Sequence, residues 1–143
     1  MQINFKYVLF CSTSILLSLT ALSQDANDIL GTWMTQEGKG EIEIYRKQGT
    51  DFFYGKIVWL KDPKDENGKP IKDAKGTPVL NLVNLKDFVF DDGEWVDGTI
   101  YDPESGDTYY CTIEMENYDK LKVRGSIDPM GWIGKTKYWD RVK

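Results

Sequence analysis

The side chains able to do acid–base work are numerous but poorly placed for it. Asp91, Asp92, Asp102, Glu104 and Asp107 all fall in stretches that read as turns. An aspartate in a turn usually caps backbone N–H groups, so a glycosidase-like carboxylate pair is not expected. Glu114 differs because it falls in a strand, where a carboxylate faces either the inside of a sheet or its outer wall. Arg124, between Val123 and Gly125, is the preferred polar candidate. Inside a barrel mouth its guanidinium would grip a carboxylate or phosphate with two parallel hydrogen bonds. The structural alternative is an ion pair with Glu43 or Glu114. The chain has no histidine. Cys111, between Tyr110 and Thr112, therefore lacks a base and reads as a small buried hydrophobe rather than a nucleophile.

Metal and cofactor chemistry find no support in the spacing. Pro63–Gly68, PKDENG, is similar to part of a calcium loop. Aligned on Gly68, however, Pro63 and Ala74 occupy the first and twelfth ligand positions, where acids are needed. Asp-Glu-Asn-Gly reads instead as a solvated turn. Zinc needs histidine or several cysteines, and no cofactor is expected. A ligand site built from aromatic walls remains. Tyr45, Trp59, Trp95, Tyr101, Tyr109, Trp132 and Trp139 are mostly core, but Tyr45, Trp59 and Tyr109 join Arg124 and Glu114 as candidate ligand-binding residues. Met130, Trp132 and Ile133, set between glycines after Pro129, read as a barrel plug or an exposed contact patch.

The elements that must position these residues are strands. Glu94–Met115 is the clearest, with aromatic and β-branched residues on both sides of the turn Asp102-Pro103-Glu104-Ser105-Gly106. Its expected pairing sets Tyr101 against Asp107, Thr99 against Tyr109 and Trp95 against Ile113. Gly98 suggests a bend or bulge. Glu41–Tyr45 alternates strictly. Phe52–Leu60 places Phe53, Gly55, Ile57 and Trp59 on one face. Lys61–Thr77 is polar, contains no strand, and is long for a loop in a compact barrel. Val79–Leu85 fits a strand or a helical turn, Phe88–Phe90 a short strand, and Leu121–Gly125 and Lys135–Val142 the last two. With no amphipathic helix and no internal repeat, about eight or nine short strands imply an all-β antiparallel sandwich or barrel, and the barrel is favoured.

Residues 1–23 read as a secretory leader. Lys6 precedes an apolar stretch, Tyr7–Leu22, and Ala21-Leu22-Ser23 suits cleavage after Ser23. The stretch is too short and too broken by Ser and Thr for a membrane-spanning helix. A single β-barrel domain over residues 24–143 is expected, periplasmic or secreted, with Lys61–Thr77 as its long polar loop. The leader would remove Cys11, leaving Cys111 without a disulfide partner. It would also take one lysine and no acid from a chain of formal charge −5. An acidic surface with interspersed lysines disfavours nucleic acid and anionic lipid as partners.

Two resemblances sharpen this reading. Gly31-x-Trp33 on the first strand and Arg141 on the last resemble the signature of lipocalin and calycin-like barrels, though the middle lipocalin motif is absent. The resemblance implies that Trp33 closes one barrel end with Arg141 stacked across it. Across Leu30–Val142 the chain resembles the bacterial family called domain of unknown function 2147. The residues that carry it are Gly31-Thr32-Trp33, Gly55-x-Ile57-x-Trp59-Leu60, Asn67-Gly68-Lys69-Pro70, Gly98-x-Ile100-Tyr101-Asp102-Pro103 with Gly106 and Tyr109, Leu121-x-Val123-Arg124-Gly125, and Thr136 with Trp139-x-Arg141. This implies a small exported protein with a calycin-like barrel and no established activity. Many relatives carry cysteines where Phe53 and Tyr54 stand here.

The expectation is a lipocalin-like barrel that binds a small apolar or amphipathic ligand without catalysis, with Lys61–Leu85 as its lid. The alternative is a protein-partner or envelope-structural module with a filled barrel. A hydrolase using turn carboxylates comes third. A roomy cavity with Arg124 or Glu114 pointing in favours the first, and a closed core the second.

Overall fold

A computed structural model describes residues 23–143. Nearly all of the expected leader, including Cys11, lies outside them. A short 3-10 helix, Ala26–Ile29, precedes eight strands: β1 Gly31–Met34, β2 Gly40–Arg46, β3 Phe53–Leu60, β4 Val83–Asp91, β5 Glu94–Tyr101, β6 Thr108–Asn117, β7 Lys120–Ser126 and β8 Gly134–Arg141. Each pairs antiparallel with the next, and β1 closes on β8. Closure is narrow, resting on the pairs Trp33–Arg141 and Met34–Asp140.

Three bulges decide which side chains enter the core. A bulge inserts one residue, and one residue reverses inward–outward alternation. On β3, two steps lead from Ile57 to Trp59, with Val58 inserted, where β2 has one step, Ile42 to Glu41. Leu60 therefore turns toward the core and Trp59 turns out, 41 % exposed. The expected shared face of Phe53, Gly55, Ile57 and Trp59 thus holds only for its first three members. On β5, an extra residue lies between Trp95 and Gly98, with Asp97 at φ 60°. Trp95 meets Ile113 as expected, but near the turn Tyr101 meets Thr108 and Thr99 meets Tyr110, one residue off the expected register. On β4, Asp87 at φ 62° marks an extra residue between Leu85 and Phe88. This bulge joins the expected separate segments Val79–Leu85 and Phe88–Phe90 into one strand from Val83.

The interior is filled. Trp33, Ile42, Ile44, Phe53, Ile57, Leu85, Phe88, Trp95, Cys111, Ile113, Leu121, Val123 and Trp139 are buried together. Glycines on the inner wall make room for their neighbours: a Cβ at Gly55 would lie 2.6 Å from the Leu85 side chain, and one at Gly98 would run into the Phe88 ring. The 3-10 helix plugs one end. An aspartate capping box starts it, with Asn27 N–H donating to Asp25 Oδ1 at 2.8 Å and Asp25 N–H to Asp28 Oδ2 at 2.8 Å. Its last residue, Ile29, is buried, and Trp95 Nε1 donates to the Ala26 carbonyl at 3.2 Å.

Candidate functional site

At the plugged end, Arg141 is sandwiched between two rings, its guanidinium carbon 4.1 Å from the Trp33 centroid and 4.2 Å from that of Tyr118. It donates to the carbonyls of Leu30 at 2.9 Å, Asp28 at 2.7 Å and Tyr118 at 2.7 Å. Trp33 is fully buried and donates to the Ile29 carbonyl at 2.9 Å. Gly31, at φ 127°, brings the backbone so close that a Cβ would lie 3.1 Å from Arg141 Nη1. This end is a lock that ties the first residues of the barrel to its last strand.

At the other end lies the connection from Lys61 to Leu82, which is ordered by a tandem motif. Lys64–Pro70 and Lys72–Pro78 both read K-D-x-x-G-x-P, and both make the same turn. Asp65 Oδ1 accepts from Asn67 and Lys69 N–H at 2.8 and 2.9 Å; Asp73 Oδ1 accepts from Lys75 and Thr77 N–H at 2.9 and 2.7 Å. Gly68 and Gly76 take the left-handed conformation each turn requires. The expected absence of a repeat is corrected here, since the eight-residue spacing of these two turns was the missed signal. The calcium-like PKDENG is one such Asx turn. The second turn docks: Tyr101 hydroxyl donates to Asp73 Oδ2 at 2.8 Å, Ala74 N–H donates to the Pro103 carbonyl at 3.0 Å, and Lys75 Nζ lies 5.0 Å from the Tyr101 ring centroid. The Thr77 N–H, followed by the Tyr101 hydroxyl, holds the Asp73 carboxyl below its ordinary value. Val79 is buried against the core, with Ile71 and Leu82 packed beside it. The candidate lid is shut.

The five candidate ligand residues do not converge. Arg124 alternates with buried Leu121 and Val123 and so stands on the outer wall. It makes neither the cavity contact nor the ion pair expected of it. Its Nε donates to the Gly131 carbonyl at 2.7 Å, Nη1 to Thr136 Oγ1 at 3.1 Å and Nη2 to the Trp132 carbonyl at 3.3 Å. Glu114 also lies outside, in a cross-strand row with Glu94 and Lys122, whose Nζ is 2.9 Å from its carboxylate. Glu94 is raised, first by its hydrogen bond to Glu114, and Glu114 is lowered by the same bond and by Lys122. Tyr45 is on the outer wall too, its ring 6.2 Å from that of Tyr54, which donates its hydroxyl to Asp87. Trp59 is turned out by its bulge. Of the five, Tyr109 alone sits on the inner face, opposite Ile100 and beside Gly125.

What the outer wall does build is an apolar tip between β7 and β8. Ile127, Met130, Trp132 and Ile133 are 65, 74, 81 and 64 % exposed. Asp128 organises them: its carboxylate accepts from Ile133 N–H at 2.7 Å and Trp132 N–H at 3.0 Å, and its carbonyl accepts from Gly131 N–H at 3.1 Å and Ser126 Oγ at 2.7 Å. Those N–H groups, Ile133 first, hold its carboxyl below the ordinary value. With Arg124 gripping two of its carbonyls, the tip is a rigid presentation of exposed apolar side chains. The expected choice between plug and patch falls to the patch. Among the described residues no group of three or more His, Cys, Asp or Glu is placed to hold a metal.

Comparison with known proteins agrees with this fold. A solved structure of a protein from the human pathogen Helicobacter pylori, described as belonging to the lipocalin family, superposes with a TM-score of 0.62 at 25 % identity, covering 80 % of this chain and 82 % of that one. No curated protein matches the chain. The model of one family spans residues 31–141, from the Gly-x-Trp of β1 to the stacked arginine of β8, and the chain belongs to that family, described as "Uncharacterized protein conserved in bacteria (DUF2147)".

Proposed function

We propose that the protein is a non-enzymatic binding module, exported from the cell, whose filled barrel is a scaffold and whose recognition surface is the apolar tip Ile127–Ile133. The carrying observation is the interior. The gap walled by Ile29, Ile44, Phe53, Leu85, Phe88, Trp95 and Ile113 has no room for a water molecule. A drug-sized ligand needs several hundred Å³. Export rests on the composition of residues 1–23. Native mass spectrometry of the protein purified gently from its host tests the reading. A clean polypeptide mass is the expected result. A stoichiometric small-molecule adduct would overturn it.

A second reading, carriage of a small apolar or amphipathic ligand, has its own support. The indole N–H of Trp139 is buried without an acceptor, an arrangement that a bound polar group would relieve. The side-chain bond between Tyr101 and Asp73 is one of the contacts that hold the lid over the barrel end, beside the Ala74–Pro103 backbone bond and buried Val79. On this reading Tyr101→Phe, which removes that side-chain bond, raises uptake of a fluorescent fatty acid; unchanged, background-level uptake in both forms sinks it.

A further inference from the structure

We propose that the apolar tip docks shallowly into a phospholipid bilayer interface; this deepens the surface-binding reading above and rests on it. Lipid is favoured over a protein groove by how the tip treats its own backbone. A protein partner can supply hydrogen bonds, whereas the acyl region cannot, so a segment entering it must satisfy its polar groups internally. The N–H groups of Ile127, Gly131, Trp132 and Ile133 are engaged within the tip, as are the carbonyls of Asp128 and Ile133, and Arg124 at its base engages those of Gly131 and Trp132; the carbonyls of Ile127, Pro129 and Met130 make no such bond, which limits docking to the hydrated headgroup boundary. Pro129 has no N–H to satisfy. The side chains suit the same boundary: Trp132 is amphipathic and prefers the headgroup level, and Met130, Ile127 and Ile133 are apolar. Charge is arranged likewise. Arg124, which grips the Gly131 and Trp132 carbonyls, and exposed Lys135, at the start of β8, bring positive charge to the base of the tip, and neither is in an ion pair among the described residues. The one acid in the tip, Asp128, spends its carboxylate on the tip's own N–H groups. This local balance runs against the acidic surface as a whole, and shallow docking exposes only the tip to the membrane. No helix of the described residues is long and apolar enough to cross a bilayer.

The test is co-flotation of the full chain with vesicles of phosphatidylethanolamine and phosphatidylglycerol, compared with Met130→Ser/Trp132→Ser/Ile133→Ser. The variant changes only exposed side chains and keeps its melting temperature. The expected result is flotation of the wild type and at least a ~tenfold weaker partition of the variant, since each buried apolar side chain adds to membrane affinity. Lipids brominated on their acyl chains quench the wild-type indole fluorescence, and Trp132→Phe removes that quenching. Equal flotation of both proteins, or none by the wild type, overturns the proposal. So does a concentration-dependent dimer that the triple variant abolishes without any vesicle binding. A clean apo mass without flotation defeats the membrane and leaves a surface-binding module. A ligand adduct defeats that module itself.

Discussion

Arg141 makes three charge-assisted hydrogen bonds and two ring contacts from one side chain. Lysine carries the charge but not the fork that spans Leu30 and Asp28. Arg141→Lys is expected to lower stability by about 2 kcal/mol, from hydrogen bonds to a charged group. The shift in urea midpoint at constant slope measures it. Gly31→Ala, at a positive φ and against the same guanidinium, is expected to cost at least ~1 kcal/mol in the same assay. The Gly-x-Trp and terminal arginine were legible in the sequence through their resemblance to the lipocalin and calycin-like signature, which implied the stacking of residues so far apart along the chain. Arg124 was legible as an unusual charge, but its direction was not. Its partners, Gly131 and Trp132, are carbonyls that no side-chain pattern advertises.

At the scale of elements, paired bulges and inner-wall glycines shape the barrel. Gly98 lies against Phe88, and a methyl group there would collide with a ring that has nowhere to go. Gly98→Ala is expected to destabilise by roughly 1–3 kcal/mol through overpacking. Adding Phe88→Leu should return part of that loss, and thermal melts of the single and double variants decide it. The lid and the tip carry a shared pH dependence. Asp73 and Asp128 both have lowered pKa values in the folded chain. Their contribution is therefore fully present above the ordinary aspartate value of 3.8 and is lost as pH falls through the lower folded values. An NMR titration should show the amide protons of Thr77, Trp132 and Ile133 moving with midpoints below 3.8, before global unfolding. Midpoints at or above it would mean that these carboxylates gain nothing from their turns. The repeated K-D-x-x-G-x-P was in plain view, yet whether a turn of this kind docks or stays free depends on Tyr101 and Pro103, far along the chain.

Across the whole molecule, the barrel behaves as one filled body. Cys111 is a probe of that body, because burial pushes its thiol up to about 12. The thiolate is the reactive form, so iodoacetamide is expected to leave Cys111 unmodified in the folded protein and to label it only with global unfolding. Labelling that tracks the denaturant transition would confirm the closed core. Rapid labelling in buffer would mean that the barrel opens between strands, with the narrow β1–β8 seam the first place to look.

Composition and alternation alone pointed to an antiparallel all-β sandwich or barrel, its approximate strand count, most of its turns and the burial of its strand cysteine. These follow from local preferences: β-branched and aromatic runs, Asp-Pro and Gly turns, and period-two burial. Only the tertiary structure decided which way Arg124, Glu114, Tyr45 and Trp59 face, that the lid is latched, and that the interior is full. The physical reason is that one inserted residue reverses every side chain beyond it, and a bulge forms only when the partner strand is in place. Contacts such as Asp73 with Tyr101, or Arg141 with Asp28, likewise require the closed barrel to bring distant segments together.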